Sequence, residues 1–299
     1  MTTTTSDSRN PTDERYTEVL KLMIEEPTNY NKIMSLAARE GHVDIVKLML
    51  EKGANHYDTA MDAVAERGSM DIVKLLLEKG ASNYDSAMYA AAGSGHIDIV
   101  KLMLEKGANN YNSVIYYAVQ KGHTDIVKLM LENGANNYDE PMYIAATRGY
   151  IDIVNVMLEK GASGYNTALY FAASEGHMDI VKLMLEKGAT EYNSAMVQAA
   201  GRGYINIVRL LLNRGASEYN LSMKNAAEQG HMDIVELMLE SGATDYSLAM
   251  KSAAKRNHRD IVKLMLEKLL KDYNSALDSC INDGYSDIVK LLKDYRNLE

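Results

Sequence analysis

Residues 91–108 read Ala-Ala-Gly-Ser-Gly-His-Ile-Asp-Ile-Val-Lys-Leu-Met-Leu-Glu-Lys-Gly-Ala, and residues 172–189 read Ala-Ala-Ser-Glu-Gly-His-Met-Asp-Ile-Val-Lys-Leu-Met-Leu-Glu-Lys-Gly-Ala. Both belong to one frame of 27 residues. The Asp of Asp-Ile-Val recurs as Asp44, Asp71, Asp98, Asp125, Asp152, Asp179, Asp233, Asp260 and Asp287, with Asn206 in the remaining slot. A tyrosine keeps the same spacing at Tyr30, Tyr57, Tyr84, Tyr111, Tyr138, Tyr165, Tyr192, Tyr219, Tyr246 and Tyr273. Self-similarity at a fixed short period is the signature of a stacked-repeat architecture. Ten repeats are therefore expected from residue 30 to residue 299, with no room between those residues for a second kind of domain.

Each repeat reads as two helices. The residue after every frame tyrosine is Asn, Asp or Ser (Asn31, Asp58, Asp85 and their equivalents), side chains that cap free N–H groups, which predicts that helix A starts there. Pro141 fits a first helical turn, whose amides lack acceptors within the helix. Gly41 and its equivalents end helix A after two to three turns. Helix B carries Asp44 in its first turn and Lys52 at its end, complementing the helix dipole, and stops at Gly53. Met34 and Met49 mark columns that hold 14 of the 19 methionines and read as core. Neither helix is long enough to be stable alone, so each must bury its apolar face against neighbours.

The organisation that follows is a flexible tail over 1–13, a half-repeat cap over 14–29, nine repeats over 30–272 and a capping tenth repeat over 273–299. The cap rests on Leu22-Met23-Ile24-Glu25, which aligns with Leu48-Met49-Leu50-Glu51. The tenth repeat puts Lys293 where a core Leu stands elsewhere. Repeat nine lacks its helix-B stop, so that helix is expected to run longer through Leu266–Lys271.

Composition narrows the function. The chain has 299 residues, 46% apolar and 24% charged, which excludes a disordered chain. A formal charge of −9 gives no electrostatic footprint for nucleic acid or an anionic membrane. The single cysteine, Cys280, excludes an intrachain disulfide and a zinc site with several thiolates, and suits a reducing compartment. No stretch reaches the length of a membrane span, and the first residues lack the apolar region of a secretory signal. The expectation is a soluble, cytoplasmic protein without cofactor or metal.

The motif Ala-Ala-x-x-Gly-His-x-Asp-Ile-Val-Lys-Leu-Met-Leu-Glu-Lys-Gly-Ala resembles the helical half of the ankyrin repeat, over residues 14–299. That resemblance implies an all-α, ankyrin-like helical solenoid of helix-turn-helix repeats. Two departures stand out. Ankyrin repeats usually run 33 residues with a projecting β-hairpin, whereas about four residues separate Gly-Ala from the next helix here, so the hairpins are expected to be reduced or absent. Ala60-Met61 also stands where the family has Pro-Leu. Short repeats opening with Tyr-Asn are similar to those of the ankyrin families of giant DNA viruses of amoebae. The family implies a non-enzymatic module that binds another protein through the concave surface lined by helix A.

Regular columns read as frame. Six histidines (His42, His96, His123, His177, His231, His258) follow the helix-A stop. Neighbouring helices sit roughly 8–10 Å apart, too far for shared metal ligands at about 2.1 Å, so structural hydrogen bonding is the better reading. The frame tyrosines read as packing between repeats. The columns that vary lie on helix A. The first holds Ser35, Asp62, Tyr89, Tyr116, Tyr143, Tyr170, Val197, Lys224, Lys251 and Asp278; the second, beginning at Leu36, is expected to point almost directly outward. Together they offer Tyr89, Tyr116, Tyr117, Tyr143, Ile144, Tyr170 and Phe171 as an aromatic and aliphatic patch, the kind of surface enriched where proteins bind. Lys224 and Lys251 extend it with positive charge suited to an acidic segment of a partner.

The resulting expectation is a monomeric interaction scaffold for another protein, a captured host factor in the host cytoplasm if the viral similarity holds. The alternative is an assembly component that self-associates or binds a particle protein through the same aromatic patch. No nucleophile–base pair, phosphate loop or carboxylate constellation stands apart from the repeat, so neither an enzyme nor a small-molecule site is expected.

Overall fold

The computed structural model describes residues 19–271, together with residues 281 and 288–290. The expected tail over 1–13, nearly all of the capping repeat over 273–299, and the column residues Asp278 and Ser279 lie outside the described residues. Of the half-repeat, residues 19–25 are helical.

The paired helices recur as the period requires. Tyr30–Glu40 and Val43–Glu51 form the first pair, Tyr57–Arg67 and Met70–Glu78 the second, and the pattern continues to Tyr246–Lys255 and Arg259–Lys271. All regular structure among the described residues is helical. The last of these helices has 13 residues where its equivalents have nine or ten, as the missing glycine stop predicts.

Both helix ends close in left-handed glycines. Gly41 (φ 86°) ends helix A, with His42 N–H donating to Ala37 O, and Gly53 (φ 97°) follows helix B, with Ala54 N–H donating to Met49 O. Repeat nine uses Asn257 (φ 63°) for the same turn.

The cap of helix A lies two residues earlier than the sequence suggests. The helix starts at the frame tyrosine, and the residue before it is the cap; Asn29, Asn83 and Asp245 accept from backbone N–H groups of the first turn. Pro141 shows what that start depends on. In other repeats the amide three residues after the tyrosine donates to the cap carbonyl, as Val114 does to Asn110 at 3.2 Å. Proline has no such hydrogen, and the helix Asp139–Arg148 starts one residue late.

The core is what the methionine columns predicted. Ile33, Met34, Ala37 and Ala38 of helix A and Ile45, Val46 and Met49 of helix B are buried, and the same positions are buried in later repeats except in repeat nine, where Ala254 is exposed and Val262 half-buried. The chain divides into two compact bodies, residues 1–141 and 142–299. Within each, A helices pack closely on the A helices of the next repeat, while successive B helices touch only sparingly. The alanine pairs allow this, since small side chains let helix axes approach.

Candidate functional site

In place of β-hairpins the turns of seven repeats are held by the residue after the frame tyrosine. Asn31 Oδ1 accepts from the backbone N–H groups of Asn55 at 2.7 Å and His56 at 3.0 Å, two residues of the next turn. Asp58, Asp85 and Asn112 do the same in the N-terminal body, and Asn166, Asn193 and Asn220 in the C-terminal body. This column was expected to cap its own helix; instead it joins one repeat to the next. Sequence alone gave no sign of it, because the partners lie 24 and 25 residues away.

The histidine column is structural bonding of a similar kind. Nε2–H donates to a carbonyl 30 residues earlier, from His96 to Glu66 O (3.1 Å), from His123 to Gly93 O (3.3 Å) and from His177 to Thr147 O (3.0 Å). The ring also covers the preceding glycine stop: a Cβ on Gly68, Gly95, Gly149, Gly203 or Gly230 would collide with the histidine that follows, and Tyr204 occupies that place over Gly176. Those glycines therefore answer both a positive φ and a covering ring. Among the described residues no three His, Cys, Asp or Glu side chains gather as a metal site requires.

The frame tyrosines from Tyr30 to Tyr246 are all half-buried. Against them, Tyr89 and Tyr116 are 42% and 37% exposed. Both occupy the first variable column, in successive repeats. Tyr117 is half-buried, its ring stacked on Tyr89 at 4.6 Å between centroids and 4° between planes, with Lys121 Nζ 5.7 Å from its centroid. It lies across the helix before it: a Cβ on Gly93 would overlap the Tyr117 ring.

In the C-terminal body Tyr143, Ile144, Tyr170 and Phe171 are half-buried. The Tyr143 ring fills the space a Cβ would take on Gly164, and Tyr170 and Phe171 meet edge to face at 5.4 Å. Lys224 pairs with Glu228 at 3.2 Å and donates to Asn225 Oδ1 at 3.3 Å; Lys251 is exposed.

One sequence expectation changes here. The second variable column does not point directly outward: Leu36, Tyr117, Ile144, Phe171 and Asn225 are half-buried and Ser252 is buried. Contact with the neighbouring repeat outweighs the angle on an isolated helix, as Tyr117 on Gly93 shows. Gly93, Gly164 and Gly201, the three glycines outside the stop columns, were the available signal for these contacts.

A family model described as "Ankyrin repeats (3 copies)" matches the chain in overlapping windows, 12–87, 34–113, 60–140, 87–165, 142–223 and 223–298. The chain belongs to the ankyrin-repeat family. Comparison with curated proteins finds no significant match. Ankyrin repeats are generally protein–protein interaction modules and typically non-enzymatic. This ankyrin-repeat chain departs from the 33-residue form by closing its turns with Asn and Asp side chains. None of its described helices is long and apolar enough to cross a membrane.

Proposed function

We propose that this ankyrin-repeat chain binds another protein along the exposed face of its A helices, with Tyr89 and Tyr116 as the principal anchors. The observation that carries the reading is their exposure, 42% and 37%, against the half-buried frame tyrosines. A tyrosine offers a large rigid area and a hydroxyl at small entropic cost. Stacking on Tyr117 holds Tyr89 in place before any partner arrives, which lowers the ordering cost of binding. Tyr143, Ile144, Tyr170 and Phe171 add apolar area on the A helices of the C-terminal body, and Lys224 and Lys251 add positive charge there. The partner is a cytoplasmic protein, a host factor if the chain is viral; the single cysteine supports a reducing compartment.

Affinity capture from cell lysate, comparing the native chain with a Tyr89→Ser/Tyr116→Ser variant, tests the proposal. Loss of a specifically captured protein by about tenfold or more is expected for two central tyrosines. Equal capture by the variant overturns it. Light scattering over a range of concentrations runs alongside, and self-association abolished by the same variant would replace capture with assembly.

A further inference from the structure

Glycine inside a helix is unfavourable relative to alanine, so Gly93 and Gly201 each need a reason, while Gly164 stands at a helix N-cap. Gly93 has one, since Tyr117 lies where its Cβ would be; Tyr143 likewise lies where a Cβ on the cap Gly164 would be. Gly201 is in the same column as Gly93, four repeats on. There the place of Tyr117 is taken by Asn225, whose Cβ would stand 3.3 Å from a Cβ at 201. A shift of a few tenths of an ångström would admit alanine, so nothing within the chain demands a bare backbone at this position.

Over Gly201 the structure has a cleft of about 350 Å³ between the helices Tyr192–Arg202 and Tyr219–Gln229, large enough for one aromatic side chain. Val197, Gly201, Arg202 and Glu228 line it, and Gln198, Asn225 and Gln229 offer amides. Both charged residues that line it are paired within the C-terminal body. Arg202 meets Glu175 at 3.8 Å, and Glu228 meets Lys224 at 3.2 Å and Arg256 at 3.8 Å. A charged ligand would have to compete with these pairs, whereas a neutral ring with a hydroxyl would find three amides.

We propose that the cleft over Gly201 is a slot for one tyrosine side chain of the partner protein, an inference that rests on the protein-binding reading above. The partner's ring lies on the bare helix as Tyr117 lies on Gly93. Its hydroxyl bonds the amides of Gln198 and Asn225; the Asn225 oxygen already accepts from Lys224, leaving its N–H groups for the ligand.

The test is a titration of the full ¹⁵N-labelled chain with N-acetyl-L-tyrosinamide, followed by amide chemical shifts. Saturable shifts at Gly201, Gln198 and Asn225 are expected, half-complete at roughly millimolar concentration for a ligand of this size. N-acetyl-L-leucinamide should bind at least about fivefold more weakly, the worth of one hydrogen bond. Asn225→Tyr lays the chain's own ring on Gly201 and should abolish the shifts. If that variant fails to fold, Gln198→Leu serves, with loss of the preference for tyrosinamide over N-acetyl-L-phenylalaninamide. Absence of saturable shifts, shifts unchanged in the variant, or equal binding of leucinamide overturns the slot. The titration leaves Tyr89 and Tyr116 untouched, so its failure does not decide the capture experiment, nor the reverse.

Discussion

Gly93 and Gly201 hold the same position on helix A, one in each body, and the side chain that the next repeat lays against them differs. Tyr117 closes the N-terminal position with a ring stacked on Tyr89; Asn225 leaves the C-terminal one open over a cleft lined by amides and paired charges. The turn clamps differ between the bodies as well. The N-terminal body uses the carboxylates Asp58 and Asp85 beside Asn31 and Asn112, while Asn166, Asn193 and Asn220 are neutral. A repeat can thus spend its variable positions on its neighbour or leave them for a ligand, and the frame tolerates either because the buried methionine and alanine columns stay apolar, with only Ile, Leu or Val as replacements in the repeats that hold these two glycines and their neighbours.

The sharpest way to break the comparison is to put the same methyl group on both glycines. Gly93→Ala forces the Tyr117 ring away and should destabilise by about 1–3 kcal/mol in urea unfolding. Gly201→Ala needs only a small yielding of Asn225 and gains helix propensity, so it should be neutral or stabilising by up to about 1 kcal/mol. Equal losses would mean that the open cleft is an accident of packing.

The clamps give a second, smaller contrast. Removing a carboxylate that accepts two backbone N–H groups, as in Asp85→Ala, should cost about 2 kcal/mol, and Asn193→Ala about 1 kcal/mol, because a charged acceptor makes the stronger bond. Denaturant midpoints of the two variants measure the difference, and reversal of their order would remove the distinction between charged and neutral clamps.

The smallest effect concerns Asp62, the first-column residue of repeat two. Burial pushes its carboxyl above the usual range, and Asp58 adds to this, against the lowering effect of the Ser86 hydroxyl, which donates to Oδ2 at 2.7 Å; Oδ1 is buried without a hydrogen-bond partner. A raised carboxyl pKa means that the folded state holds its proton more tightly than the unfolded one. Stability is therefore lost as pH rises through the folded pKa and recovered below it. Asp62→Asn should stabilise at pH 7 by less than about 1 kcal/mol, with the advantage fading as pH falls through the carboxylate range. A constant advantage at all pH values would assign the effect to packing.

How much of this could be read beforehand follows from the distance over which each feature acts. The stop at Gly41, the core at Met34 and Met49 and the lengthened helix Arg259–Lys271 depend on local backbone geometry and on spacing along one helix, and all were legible. The clamp by Asn31 and the half-burial of the Leu36 column were not. Both involve groups from different repeats, and helical angle or capping preference says nothing about a partner 24 residues away. Of the candidate site, residue type and column were readable; that Tyr89 and Tyr116 stand exposed while Tyr117 lies on Gly93 was not.

The order of residues alone determined the 27-residue period, the two helices per repeat, their glycine ends and the identity of the core, because these follow from short-range sterics and from which side chains avoid water. Tertiary structure alone decided which variable side chains lean on the neighbouring repeat and which face outward. That outcome depends on the space left between two A helices, and two repeats must be packed together before the space exists.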